Sequence, residues 1–334
     1  LGDPWNLDTD VGPIISKQAR QDIQACIDTA RKEGRLLKQL NAPSMGNFVG
    51  PAVIEVDGIE DLEKEVFGPV LHIARFKAQD FDKVLEDVNR TGYGLTFGLH
   101  TRIDDRAKSI SDRLHVGNIY VNRNQVGAVV ESQPFGGEGL SGTGPKAGGP
   151  YYVPRFSRPV SRLIGNQQIA TNGNSIDLGQ VQEKLNALHW QPQKLDVKDM
   201  PCVTGESNRL ALWPRGIVLC LGPTVEDAVQ QAGTARRMGC AALTVVPGAK
   251  GYDSIDGLFN RENLTELEGI AVVALWSNEE DLRAARKALA AREGKIIPLV
   301  TAFDLESYCL HERHTCVDTT AAGGNASLLA AVET

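Results

Sequence analysis

Twice along this chain, short apolar runs alternate with apolar stripes at helical spacing, and that alternation is what most constrains the fold. Residues 71–76 read as a strand, and Asp80 opens a helix with Phe81, Val84, Leu85 and Val88 on one face. Residues 95–100 are again strand-like, Ile103, Ala107, Ile110 and Leu114 recur at helical spacing, and residues 118–121 form the next strand. Strands separated by helices pair in parallel through crossovers, so the series predicts a parallel sheet. Before it, Ser16 is placed to cap a helix with Ile23, Cys26, Ile27 and Ala30 as its stripe and Gly34 as its stop.

The second alternation has strand-like runs at residues 216–221, 242–246, 270–275 and 296–300. Thr224, with Asp227 three residues on, forms an approximate capping box before a helix that ends at Gly239. Asn278 starts another helix (Leu282, Ala285, Leu289) that stops at Gly294. This pattern predicts a small doubly wound layer. Residues 151–157, with Pro154 inside, read as an edge strand. Residues 165–206 are rich in Asn, Gln, Asp and Lys, broken by a helix over 178–188, and read as a connector.

At 334 residues there is room for two domains. The net charge of −7 gives no electrostatic drive toward nucleic acid or an anionic membrane. No apolar run approaches the roughly 20 residues needed to span a bilayer. Leu1-Gly2-Asp3-Pro4-Trp5 has neither an initiator Met nor a basic leader, and reads as a start inside a longer protein. Six cysteines without a paired framework point to a reducing cytoplasm. Cys26 is expected in a core, and Cys220 and Cys240 at buried strand ends.

Two segments 60 residues apart carry chemistry. In Glu65-Val66-Phe67-Gly68-Pro69 a carboxylate precedes an aromatic and a Gly-Pro turn. Such a group can bind ribose hydroxyls and lay a ring beside a nicotinamide; the same five residues also read as a strand entry with a solvated Glu. In Gln125-Val126-Gly127-Ala128, small residues let backbone N–H groups approach a ligand, and successive amides form an anion-binding concavity. Phe135 follows, placed to cover aliphatic methylenes. A flexible Gly-rich loop is the plainer alternative.

In order and spacing, Glu65 to Pro69, Gly117 to Asn122, Pro134 to Gly137 and Ser141 to Gly144 resemble the aldehyde dehydrogenase superfamily. The Gly127-Ala128 loop, with Gly148-Gly149-Pro150, resembles its glutamate-semialdehyde (1-pyrroline-5-carboxylate) branch. Residues 319–328 resemble the closing motif of the bifunctional proline-catabolic enzymes, the proline utilization A family, and residues 215–300 resemble the extra domain of their longer forms. The resemblance implies an α/β chain: the latter part of an aldehyde dehydrogenase fold, with a parallel-sheet catalytic domain, then a smaller degenerate aldehyde-dehydrogenase-like domain. Its expected divisions are 1–160 for the dehydrogenase part, 161–206 for the connector, 207–314 for the accessory domain and 315–334 for the closing motif.

It also implies an NAD-dependent dehydrogenase that oxidises L-glutamate 5-semialdehyde to glutamate. A flavin (FAD) proline dehydrogenase module would lie elsewhere in the parent polypeptide, and an oligomer is possible. By position, Glu65 would hold the nicotinamide ribose and Phe67 would pack near the ring. Gly127 and Ala128 would bind the substrate carboxylate, and Phe135 its carbon chain. That family's nucleophilic Cys and general-base Glu would precede Leu1, because no Cys here sits in a Cys-Ser or Cys-Thr setting. No catalytic residue is therefore assigned, and the chain alone is expected to be inactive. An enzyme for another acidic aldehyde, or a non-catalytic scaffold, are the competing readings. Leu221-Gly222-Pro223-Thr224 has one glycine and a proline without a donor, and reads as structural rather than nucleotide-binding. Cys309, His311, His314 and Cys316 are zinc-type ligands, but their spacing is not a paired form, and no metal is assigned.

Overall fold

The structure, a computed structural model, describes residues 1–157, 173–301 and 304–320. The chain packs as two compact units, Leu1–Thr91 and Gly92–Thr334. In the first, helix α1 (Lys17–Lys32) starts at Ser16, whose hydroxyl accepts the N–H of Ala19 at 3.1 Å. Its turn-off is Gly34, at φ +76°. The stripe of Ile23, Ile27 and Ala30 is buried with Ala52 and Ile54, and Cys26 packs half-buried beside it. Fully burying an isoleucine contributes about 1.5–3 kcal/mol, so this stripe is the main reason the helix docks. The sheet beneath has the order β1 (Leu36–Gln39), β2 (Ala52–Glu55), β3 (Val70–Ile73), with β1–β2 antiparallel and β2–β3 parallel. Helix α2 (Phe81–Arg90) buries Leu85 and also Asp87, which pairs with Arg90 at 2.6 Å and Lys83 at 3.2 Å.

The strand expected over 71–76 thus belongs to this sheet, not to one shared with the strands near 96 and 118. β1 and β2, which the apolar-run pattern did not reveal, satisfy its ladder locally.

In the second unit, β5 (Thr96–Leu99) and β6 (Asn118–Val121) are parallel, joined through α3 (Asp104–Arg113), with Ile110 and Leu114 buried. The same sheet continues through β17 (Leu310–Asp318), β10 (Glu206–Pro214) and β9 (Asp196–Asp199). β17 runs parallel to β6 and antiparallel to β10, so residues beyond 300 complete a sheet begun at residue 96. A short antiparallel pair, β4 (Tyr93–Gly94) and β7 (Glu138–Gly139), flanks it.

Residues 151–157 are not an edge strand. They form turns and a 3-10 helix, Val153–Phe156, because the fixed φ of Pro154 suits a first helical turn. Within the expected connector, residues 158–172 lie outside the described residues. The rest is built into the fold: β8 (Ser175–Ile176) pairs with β14 (Leu258–Phe259), and α4 (Leu178–Ala187) buries Val181 and Leu185 in a core with Leu219, Leu243 and Val273.

The doubly wound layer has the order β13 (Ser254–Ile255), β12 (Ala241–Val245), β11 (Ile217–Cys220), β15 (Ile270–Ala274), β16 (Leu299–Val300), all parallel. Successive residues face opposite sides. Leu219, Leu243 and Val273 meet α4 and α6 (Glu279–Ala290). Val218, Cys220, Ala242 and Val272 meet α5 (Val225–Arg237) and α7 (Leu305–Tyr308). Both bonds of the Thr224–Asp227 capping box are formed, and Asn278 caps α6 through the N–H of Asp281. Among the described residues, no helix is long and apolar enough to cross a membrane.

The turn after β11 has no donors to spare. Buried Gln231 accepts from Gly222 N–H at 3.1 Å and donates to Gly222 O at 3.0 Å, and Trp276 N–H also donates to that oxygen at 2.9 Å. Thr224 N–H is turned to Asp227. This supports the structural reading of residues 221–224. Replacing Gln231 with Leu leaves a buried N–H unsatisfied and should lower stability by about 1–3 kcal/mol in urea unfolding. An unchanged midpoint would mean that the turn does not depend on this amide.

Candidate functional site

The two expected halves of the site fall in different units, and each stands on its own geometry. In the first unit, Val66 packs inward against the Ile23 core, while Glu65 and Phe67 on either side face out. Phe67 is 81% exposed. Gly68 fixes this presentation, because a Cβ there would lie 2.5 Å from Ile23 Cδ1. Gly68 N–H also closes on Val66 O at 2.9 Å. The result is a carboxylate and an aromatic ring presented outward from a turn seated on the core.

In the second unit, β6 carries Asn118 and Tyr120 on one face, both fully buried. The Tyr120 hydroxyl donates to Gly127 O at 2.9 Å. Asn118 donates through Nδ2 to Pro134 O at 2.8 Å and accepts Gly136 N–H at 3.1 Å, bracketing Phe135. Phe135 is half-buried and exchanges backbone bonds with Ala147 at 3.0 and 2.9 Å. Gly127 has φ +111°, and nothing lies within 4 Å of a Cβ built on it. Among the described residues, neither Gly127 N–H nor Ala128 N–H has an acceptor. Two amides without acceptors in an exposed loop can hold an anion.

A cleft of about 370 Å³ opens beside Gly127, walled by Arg123, Val129, Gln133, Cys202 and Glu206; Ala128 and Phe135 are not among its walls. Its base is a polar network. Arg123 pairs with Glu206 at 2.6 Å and donates to Cys316 Sγ at 3.1 Å, and Gln133 donates to Glu206 at 3.1 Å. Tyr120, Asn118, Arg123, Gln133 and Glu206 were given no site role from sequence. The signal available was the period of two in residues 118–121 just before the Gly-rich loop.

Lys146 was also missed. It is 2% exposed, and its ammonium donates to Asn118 Oδ1 at 2.9 Å and to Gly136 O. Its backbone N–H donates to Glu312 on β17 at 2.7 Å. Burial lowers its pKa from 10.5 to about 8, against the pull of Glu312 and Glu138. Between those values the unfolded chain still holds a proton that the folded chain has released, so stability rises with pH there. Relative to a Lys146→Met variant, the chain should gain up to about 3 kcal/mol between pH 8 and 10.5, read by unfolding at several pH values. A constant difference between the two proteins would show that Lys146 titrates normally.

The thiols and imidazoles take other places. Cys220, Cys240, Cys309 and Cys316 are buried, and Cys26 is half-buried. Hydrogen bonding to Cys309 holds the Cys240 thiol low, at about 7, but it is 4% exposed and closed to a substrate. On the extended β17, His311 and His314 point to opposite faces. His311 Nδ1 lies 3.9 Å from Glu138, while His314 and Cys316 are buried on the face toward Asn118 and Arg123. Among the described residues, no three His, Cys, Asp or Glu side chains converge as metal ligands.

The chain resembles known proteins in sequence. Residues 1–161 match the Aldehyde dehydrogenase family. The Bifunctional protein PutA of Escherichia coli is 37% identical over 375 residues, covering 98% of this chain and 28% of that protein. PutA of Rhizobium meliloti is 36% identical over 366 residues, covering 98% and 29%. The 1-pyrroline-5-carboxylate dehydrogenase 1 of Halalkalibacterium halodurans is 43% identical over 156 residues, covering 46% of this chain and 30% of that one. The chain thus spans less than a third of the length of each of these relatives. The first 161 residues thus match the Aldehyde dehydrogenase family, and nearly the whole length of the chain is similar to part of PutA.

Proposed function

We propose that this chain supplies cofactor- and substrate-binding elements of an NAD-dependent dehydrogenase that oxidises L-glutamate 5-semialdehyde, the open form of 1-pyrroline-5-carboxylate, in proline catabolism. The observation that carries the reading is the exposed Gly127-Ala128 loop, with two N–H groups that have no acceptor among the described residues, open space at the Gly127 Cα, and Phe135, near in sequence, bracketed by Asn118. Fixed backbone donors suit a carboxylate because little reorganisation is needed when the anion arrives. A small acidic aldehyde would place its carboxylate on these amides and its methylenes on Phe135.

The residues of the first unit fit a nicotinamide nucleotide. Glu65 offers an outward acceptor for ribose hydroxyls, and Phe67 an outward ring face or edge. NAD, when bound, supplies the hydride acceptor. Glu65 orients the ribose, and Phe67 shields one side of the ring from water. In this reading residues 1–160 are the dehydrogenase part, the doubly wound layer is a smaller accessory domain, and residues 315–334 are a closing motif, of which 321–334 lie outside the described residues. The nucleophilic thiol comes from elsewhere in a longer cytoplasmic polypeptide, which also carries the flavin-dependent proline dehydrogenase. The described thiols are buried, half-buried or, like Cys202, followed by Val rather than Ser or Thr.

The purified 334-residue chain should form no NADH from glutamate semialdehyde, and steady turnover would overturn the reading. In the full-length dehydrogenase, Gly127→Val strains a backbone at φ +111° and crowds the amides. Its kcat/KM should fall much further on glutamate semialdehyde than on propanal, which has no carboxylate. Equal losses on both would point to collapse of the loop instead. Glu65→Ala should raise the KM for NAD roughly ten- to a hundredfold, the worth of a charge-assisted hydrogen bond of about 1.5–3 kcal/mol. NAD kinetics that do not move would remove Glu65 from the cofactor site.

A further inference from the structure

This inference rests on the carboxylate role of the Gly127-Ala128 loop and concerns what aims it. Tyr120 is fully buried on β6, and its hydroxyl is 2.9 Å from Gly127 O. The peptide that contains this oxygen also contains the N–H of Ala128. In a planar trans peptide the C=O and N–H point in opposite directions. Holding the oxygen toward buried Tyr120 therefore aims the Ala128 N–H away from the protein body. Gly127, at φ +111° and without a Cβ, does little itself to restrain how this peptide turns. A rotated peptide would present the carbonyl oxygen to an incoming carboxylate and repel it.

Tyr120 is itself well anchored. The guanidinium of Arg123 lies 5.5 Å from its ring centroid and is locked to Glu206, so the strand exit between ring and loop is fixed. Two residues earlier on the same face, Asn118 brackets Phe135. One face of one short strand thus grips both the amide loop and the segment that carries the ring. We infer that Tyr120 is a positioning residue for carboxylate recognition: its hydroxyl sets the Gly127–Ala128 peptide plane, and so sets the preference for acidic over neutral aldehydes.

The test is Tyr120→Phe, which removes one oxygen and keeps the ring. In the full-length dehydrogenase, KM for glutamate semialdehyde should rise about tenfold, the worth of one hydrogen bond, with a much smaller change in kcat. The ratio of kcat/KM for glutamate semialdehyde to that for propanal should fall by a similar factor. A second readout uses the 334-residue chain titrated with L-glutamate, following the Ala128 amide by 15N NMR. The wild-type amide should shift on addition of glutamate, and the Tyr120→Phe amide should shift less or need more glutamate. An unchanged substrate ratio together with an unchanged titration would overturn the inference. If Gly127→Val is selective against the acidic aldehyde while Tyr120→Phe is not, the loop keeps its role and only the positioning by Tyr120 fails. If neither variant discriminates, the carboxylate reading of the loop fails first.

Discussion

Asn118 is fully buried, and its side-chain amide meets three groups of the returning loop: Pro134 O, Gly136 N–H and the Lys146 ammonium. A buried amide without partners costs several kcal/mol, so the loop must lie on the strand for β6 to be buried at all. The approach is close. A Cβ on Gly117 would sit 2.0 Å from Gly136 O, so only glycine lets the two backbones touch. Lys146 is drawn under the loop by the same amide and in turn ties its own N–H to Glu312 of β17. The sheet and the Gly-rich loop are therefore one structure, and neither is arranged without the other.

This dependence explains which parts were legible in the sequence. The doubly wound layer was, because Val218 and Leu219, or Val272 and Val273, fill both faces with apolar side chains, and because Thr224 and Asn278 mark the helix starts. β10 and β17 were not. The inward residues of β17 include Glu312, His314 and Cys316, whose burial is made tolerable by Lys146, Arg123 and the neighbouring strands. A strand with polar residues inside breaks apolar alternation, so its histidines and cysteines resembled metal ligands. In the candidate site, Gly127 and Phe135 drew attention through their own chemistry. Asn118 and Tyr120 were assigned no role, since their hydrogen bonds to the loop run mostly to backbone atoms, which any sequence supplies.

The two halves of the proposed site use opposite chemistry for a physical reason. In the proposed reading a substrate carboxylate would be met by neutral N–H dipoles, their peptide held by the Tyr120 hydroxyl, whose fixed geometry avoids burying another full charge. Ribose hydroxyls are neutral, so an exposed carboxylate such as Glu65 can accept from them at little desolvation cost. A glycine at a close approach stands near Phe67 in one unit and near the Phe135 segment in the other. Gly68 presses on Ile23 in one unit, and Gly117 presses on Gly136 in the other.

The buried charges of β17 add a further constraint, on register. Arg313 pairs with Glu138 at 2.8 Å and lies 4.9 Å from the Trp213 ring, while His314 on the opposite face is held neutral, its pKa lowered to about 4 chiefly by burial and then by Lys146. A slip of one residue would exchange these faces. Arg313 would then meet the Lys146 ammonium, and Glu138, which is 5% exposed, would lose its partner. Stranding one member of a buried pair costs about 3–5 kcal/mol, far more than the small gain from the pair itself. The ion pair thus contributes little to stability over an apolar replacement, yet it strongly disfavours the wrong alignment. That alignment places His314 opposite Asn118 and Cys316 opposite Tyr120. By fixing it, a charge pair on one face of the sheet sets the two side chains that grip the loop on the other.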